Sequence, residues 1–264
     1  MDDFTGNVGK LGAGLTPEGE ADARALGAGE MRLRARMADI ARFVLRPSSV
    51  MQPMAWGRAA AFVLLAVFAL DMALDTLIYA LTEAWDESAA FLPDPIEYES
   101  TLAEDLIDFL ILAPIMEELA FRGWLTGRLA ALRFGAYGMA AMGLLTASVF
   151  TAAEYAMPLT LAGIALAFAG LIHWLRTRDT DTAVPAWFTR HFHWFVWGSS
   201  LAFGLIHLGN YDPLTHPLGL LVVLPQTVGG LLLAYTRTRL GLGAAMAHHA
   251  AYNALFLASD YGWW

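Results

Sequence analysis

Beyond residue 58 the chain is a succession of long apolar runs separated by short polar stretches. The runs are Ala59–Leu81, Leu102–Phe121, Phe134–Ala153, Pro158–Leu175, Phe195–Tyr211, Pro217–Tyr235 and Leu242–Ser259. A membrane-spanning helix needs roughly 20 such residues, within a range of about 17–25. The pattern therefore predicts an all-α, polytopic membrane helical bundle of about seven transmembrane helices, the fourth and fifth runs being short. Upstream, Leu11–Gly29 is polar and rich in Gly and Ala. In the stretch from Met31 to Arg46, Leu33, Met37, Ile40 and Val44 recur at helical spacing among arginines. This basic amphipathic N-terminal segment reads either as an interfacial helix or as a positive flank that fixes topology. The expected division is residues 1–58 as a cytoplasmic N-terminal segment and 59–264 as the transmembrane bundle. The first 50 residues hold no apolar core of the length a signal peptide needs.

Composition strengthens the membrane reading. Of 264 residues, 57% are hydrophobic and 16% charged, against about 25% charged in soluble domains. The formal net charge of −9 argues against nucleic acid as a partner, since there is no basic excess to neutralise phosphates. The absence of cysteine excludes disulfides, thiolate metal sites and a thiol nucleophile. If the N-terminus is cytoplasmic, all 16 Lys and Arg fall on the cytoplasmic side of the seven-helix layout, as the positive-inside rule requires. The opposite side carries Glu83, Asp86, Glu87, Asp94, Glu97, Glu99, Glu154, Asp212 and Asp260. The terminal Tyr261-Gly262-Trp263-Trp264 then sits at the outer interface. An Ala-, Gly- and Arg-rich chain with a single Lys points to a bacterial inner membrane.

Ionisable groups within apolar helices are costly and mark candidate functional sites. The second run ends Glu117-Glu118-Leu119-Ala120-Phe121-Arg122. Glu118 and Arg122 share a helix face and can pair, and Glu117 lies about 100° round the helix from Glu118. Taken alone, this is also what a membrane-edge cluster with a snorkelling Arg looks like. His207 stands alone in the fifth run, as a core histidine would. In the seventh, His249 and Asn253 lie one above the other on a face of small residues, where each also reads as interhelical glue. Asp71 and Asp75 in the first run read as interior hydrogen-bonding groups, and the Trp187–Trp194 stretch as an interfacial aromatic belt. Together, two carboxylates, an Arg, two imidazoles and an Asn on three helices supply a general base, oxyanion donors and a charge-compensated acid. That is a complement suited to peptide-bond hydrolysis.

The three motifs Glu117-Glu118-x-x-x-Arg122, Phe203-x-x-x-His207 and His249-x-x-x-Asn253 resemble the CPBP family of intramembrane glutamic-type endopeptidases. These are the CAAX-processing and bacteriocin-immunity-related proteases, also called the Abi family. The resemblance covers roughly residues 100–260. It implies that Glu117 and His207 activate the attacking water, that His249 and Asn253 stabilise the oxyanion, and that Glu118 and Arg122 support them. It implies a membrane-anchored or membrane-associated protein substrate in the lipid bilayer, C-terminal sorting or anchor processing being one version. No cofactor is favoured. The alternative is zinc held by Glu117, His207 and His249, since two His and one carboxylate is a known catalytic set. A second class is a non-catalytic immunity, scaffold or regulatory member of the same family. A solute transporter is disfavoured by the lack of inverted-repeat signs.

Depth sets one further expectation. With Arg122 at the cytoplasmic edge, Glu117 lies about 7–8 Å inside, at about 1.5 Å per residue, whereas His207 lies past the midplane of its run. The two meet only if the second helix runs on beyond Arg122 or is tilted, with Arg122 buried against Glu118.

Overall fold

The computed structural model describes residues 34–49, 53–86, 91–96 and 99–263. The Leu11–Gly29 stretch, Leu33, Glu87, Glu97 and Trp264 lie outside the described residues. The chain divides into two compact units, Met1–Leu45 and Arg46–Trp264. In the first, residues 34–45 form helix α1, whose buried positions are Ile40 and Phe43.

The described residues of the second unit are mostly helical. Helix α2 spans Arg58–Trp85. Helices α3 (Leu102–Ile107) and α4 (Ala113–Phe121) are two parts of one rod, joined by a π-helical turn at Asp108–Leu112. A 3-10 turn at Gly123–Thr126 leads to α5 (Leu129–Val149), α6 (Ala153–Thr177) and the short α7 (Ala186–Arg190). Helix α8 (Phe192–Ile206) tightens into a 3-10 turn at His207–Asn210. A further 3-10 segment, Pro217–Val223, opens into α9 (Leu224–Leu240), and α10 covers Leu242–Asp260. Among the described residues there is no strand, only an isolated bridge between Pro95 and Tyr211.

Among the described residues, four segments are long and apolar enough to cross a membrane: Arg58–Trp85, Leu129–Val149, Ala153–Thr177 and Pro217–Leu240. Their outward side chains include Leu65, Leu161 and Phe168, each more than half exposed. Large apolar faces of this kind suit a hydrocarbon surround. The other three apolar runs are also helical, but they are broken by the π and 3-10 turns or diluted by His and Asn. They are the runs that carry the three motifs.

Small residues set the spacing. Helices α5 and α6 pack with Gly163 against Ala141 and Leu145, and Gly170 against Tyr137, the close approach that glycine permits between membrane helices. Helix α9 is central: Gly229 to Thr236 is buried without a break, and α2, α8 and α10 pack around it. The acidic loop is tied in as well. The Asp86 carboxylate accepts from the Phe91 and Leu92 amides at 3.2 and 2.8 Å. Ile96 N–H donates to the Asn210 carbonyl at 2.9 Å, just beyond His207.

Of the two alternatives that depth set for the second helix, one fails, while Arg122 is buried against Glu118 as expected. The second apolar helix does not run on past Arg122: it ends at Phe121, and the chain turns through the 3-10 segment to Gly127 in the left-handed region (φ 74°). The reason lies in packing. Trp124 and Leu125 are buried, and the Trp124 indole donates to the Ala120 carbonyl at 3.0 Å, satisfying an end-of-helix acceptor. The aromatic stretch divides into buried and exposed side chains. Phe188 and Phe192 are buried, and Phe188 meets Trp124 edge-on, whereas Trp187 and Trp194 are exposed.

The Trp124 turn depends on Gly135, where a Cβ would stand 2.2 Å from Trp124 Cδ1. Gly135→Ala should cost about 1–3 kcal/mol through overpacking and lower the unfolding temperature in detergent. Gly143→Ala, at a position with nothing within 4 Å, should change it little.

Candidate functional site

The site is built from the end of α4 outwards. Glu118 and Arg122 are both fully buried and bonded, Arg122 Nη1 to Glu118 Oε1 at 2.8 Å. An i, i+4 pair of this geometry closes on one helix face without help from elsewhere. Removing both charges from water is expensive, and the Coulomb gain offsets that only with further hydrogen bonds. Those bonds come from other helices. Arg122 Nη2 donates to the Gly230 carbonyl of α9 at 3.2 Å. Residue 230 must be glycine for this, since a Cβ there would stand 2.9 Å from Nη2. The guanidinium lies over the Phe203 ring of α8, 3.9 Å from its centroid, a distance at which a desolvated cation–π contact is strong. The Glu118 Oε1 atom also receives His249 Nδ1 of α10 at 3.2 Å.

His249 is thereby placed between the two acids. A carboxylate only accepts, so Nδ1 carries hydrogen toward Glu118, and Nε2 faces Glu117 Oε2 at 3.8 Å. That distance exceeds a hydrogen bond but is short enough for a small group to bridge. The Glu117 side chain is 16% exposed, against 6% for His249 and 0% for Glu118. Of the two acids, it is Glu117 that opens to the surroundings. Glu117 Oε2, Glu118 Oε2 and Arg122 Nε make no hydrogen bond among the described residues.

His207 begins the 3-10 turn that ends α8. Its Nδ1 lies 2.7 Å from the Phe203 carbonyl one turn back. A carbonyl cannot donate, so Nδ1 holds the hydrogen, and in the neutral ring Nε2 is then the acceptor. Phe203 organises both imidazoles, with ring centroids 4.8 Å from His207 and 5.7 Å from His249. Glu117, His249 and Arg122 lie within electrostatic range of His207. Asn253, one turn beyond His249, turns its amide elsewhere: Nδ2 donates to the Phe109 carbonyl in the π turn at 2.8 Å.

Glu117, Glu118, Arg122 and His249 thus form one polar cluster between α4 and α10, with His207 reached through Phe203; Asn253 lies one turn from His249 on the same helix but is bonded to the π turn. Among the described residues, no three His, Asp or Glu side chains are arranged to hold a metal ion.

Other residues support the cluster without having announced themselves in the sequence. Arg237 of α9 donates to the carbonyls of Arg122 and Gly123 at 3.0 and 3.4 Å, closing the open end of α4; the sequence marked it only as a flanking charge. His248 points away from its neighbour. Its Nε2 lies 3.1 Å from Asp71 Oδ2 and its Nδ1 3.1 Å from Thr236 Oγ1. One turn further, Tyr252 donates to Asp75 at 2.8 Å. Asp71 and Asp75 do face the bundle interior, meeting α10 through residues 248 and 252 rather than through His249.

A polytopic helical membrane protein with buried acid, imidazole and guanidinium groups at one helix junction is the class that fold and site define together. The family can then be given: the model of the type II CAAX prenyl endopeptidase Rce1-like family matches residues 100–189 and 181–255, and the chain belongs to that family. It is a protease family, and all six motif residues fall within the matched range; α2, which supplies Asp71 and Asp75, lies outside it. No match was found among curated proteins or solved structures.

The ion pair dictates one prediction. Arg122→Ala strands a buried carboxylate and should destabilise the protein by about 3–5 kcal/mol. Arg237→Ala, which uncovers two carbonyls at the end of α4, should cost about 1–3 kcal/mol. Thermal unfolding in detergent checks the order of the two.

Proposed function

We propose that this chain is an intramembrane endopeptidase that hydrolyses a peptide bond of a membrane-associated or membrane-anchored protein. The observation that carries the reading is the meeting of Glu117, Glu118 and His249, from helices far apart in sequence, within electrostatic range of His207. In this mechanism, Glu117 takes a proton from water as general base, with His207 Nε2 accepting from the same water. The water oxygen attacks the scissile carbonyl carbon. The oxyanion that forms is met by the Asn253 amide and by His249 Nε2, which donates when the ring is doubly protonated with Glu118 as counter-ion. The proton on Glu117 passes to the amine as the C–N bond breaks. Glu118 and Arg122 do not react; they hold His249 and the end of α4.

The chemistry is glutamate-dependent and needs no metal in this reading. Seven membrane-crossing helices in an inner membrane, a cytoplasmic N-terminal segment of residues 1–58 and an external C-terminus complete it, supported by the distribution of Arg. The family's name makes proteins anchored by a prenylated C-terminal CAAX sequence the first substrates to try; in a bacterial membrane, C-terminal sorting or anchor segments are the counterpart. A non-catalytic immunity or scaffold role is the competing reading.

Glu117→Gln should leave the fold intact and reduce cleavage by at least about 100-fold, and chelators should not affect the native enzyme. Proteomics of membranes carrying native protein or Glu117→Ala is the broader check: a protein that changes length at one terminus only with Glu117 intact identifies a substrate. No change at any terminus, with the variant still complementing a deletion, would leave the scaffold reading standing. Reporter fusions after residue 264 should read as external, and fusions before residue 58 as cytoplasmic.

A further inference from the structure

The helix that carries both glutamates is broken just before them, and the break is chemically specific. In the π turn each carbonyl accepts from the N–H five residues on, and the Ala113 N–H accordingly donates to the Asp108 carbonyl. The next acceptor in that register is Phe109, whose donor would be residue 114. Residue 114 is proline, which has no N–H. The donor that an ordinary α-helix would offer Phe109 is the Ala113 N–H, already committed to Asp108. The Phe109 carbonyl is thus left without a donor from its own helix. Such an acceptor is costly unless it is met, and Asn253 Nδ2 meets it at 2.8 Å.

We infer that Pro114 is a positioning residue for Asn253. By withholding an N–H, it reserves the Phe109 carbonyl for the Asn253 side chain. One amide hydrogen is spent on that bond, which fixes the side chain and the direction of the second hydrogen. With His249 held by Glu118 and Asn253 held by the π turn, both polar residues on this face of α10 are pinned to the two halves of the glutamate helix. The catalytic consequence rests on the proposed role of Asn253 as an oxyanion donor; the clamp itself does not.

The test is a double-mutant cycle on the full chain in detergent, using Pro114→Ala, Asn253→Ala and the pair. It is read by thermal unfolding and by cleavage of a farnesylated peptide ending in a CAAX sequence. In the native background, Asn253→Ala orphans the Phe109 carbonyl and should lower Tm by about 2–4 °C. In the Pro114→Ala background, where the missing N–H is restored, the same change should cost under half as much. Pro114→Ala alone should not lower Tm, yet should reduce kcat about tenfold with KM unchanged, the signature of a misplaced transition-state donor. In the Asn253→Ala background it should change kcat less than twofold. Pro114→Val, which restores the N–H at nearly the ring's volume, should behave alike. Equal Tm losses from Asn253→Ala in both backgrounds would overturn the inference, as would a Pro114→Ala effect on kcat that survives the loss of Asn253. Thermal coupling together with native cleavage by Asn253→Ala would instead overturn the oxyanion role and leave the clamp in place. A native protein that leaves the peptide uncut would count against the CAAX substrate class, and the thermal cycle would still decide the clamp.

Discussion

The buried pair of Glu118 and Arg122 is the constraint around which the rest of this structure is arranged. Two charges with no solvent exposure need partners beyond each other, and three other helices come to one place to supply them, with Glu118 Oε2 and Arg122 Nε still unbonded among the described residues. Helix α9 brings the Gly230 carbonyl, α8 lays the Phe203 ring beneath the guanidinium, and α10 delivers His249. The requirement that keeps the ion pair stable also assembles the site, because each group recruited to it carries or borders a motif residue.

Regular and irregular helices divide the work. Helices α2, α5 and α6 are long, apolar and unbroken, and present broad faces suited to lipid. The segments that carry chemistry are interrupted: a π turn precedes Glu117, a 3-10 turn begins at His207 and another follows Arg122. In a hydrocarbon environment such backbone is tolerated only where protein satisfies the freed groups, and the satisfying donors here are identifiable. Asn253 serves the π turn, Trp124 and Arg237 serve the end of α4, and His207 bonds back onto its own helix. Irregularity at the site is therefore tied to the side chains that appear in the mechanism.

The two neighbouring histidines show how rotation about one helix separates roles. His249 faces the glutamates, whereas His248, about 100° round, faces Asp71 and Thr236. The polar rungs to Asp71 and Asp75 come from a helix outside the family-matched region. The acidic loop likewise pins the turn after His207 through Asn210. Parts of the chain that carry no motif thus contact the elements that do.

The sequence by itself determined the helical character, the membrane-scale length of the apolar runs and the identity of the clustered residues. Those properties are local: they follow from hydrophobic run length, from residue types that a bilayer tolerates only at sites, and from i, i+4 spacing. The Glu118–Arg122 pair was legible for the same reason, since both partners lie on one turn of one helix. Only the tertiary structure decided where the glutamate helix stops. The residues past Arg122 are compatible with helix, but the chain turns there and Trp124 packs beside Gly135. It also decided that Arg237, by its spacing only a flanking charge, closes α4, that His248 turns to Asp71, and that Asn253 reaches the Phe109 carbonyl. Each of these contacts joins residues more than ten positions apart. Their partners are fixed by how helices pack around the buried ion pair, and no periodicity along the chain records that packing.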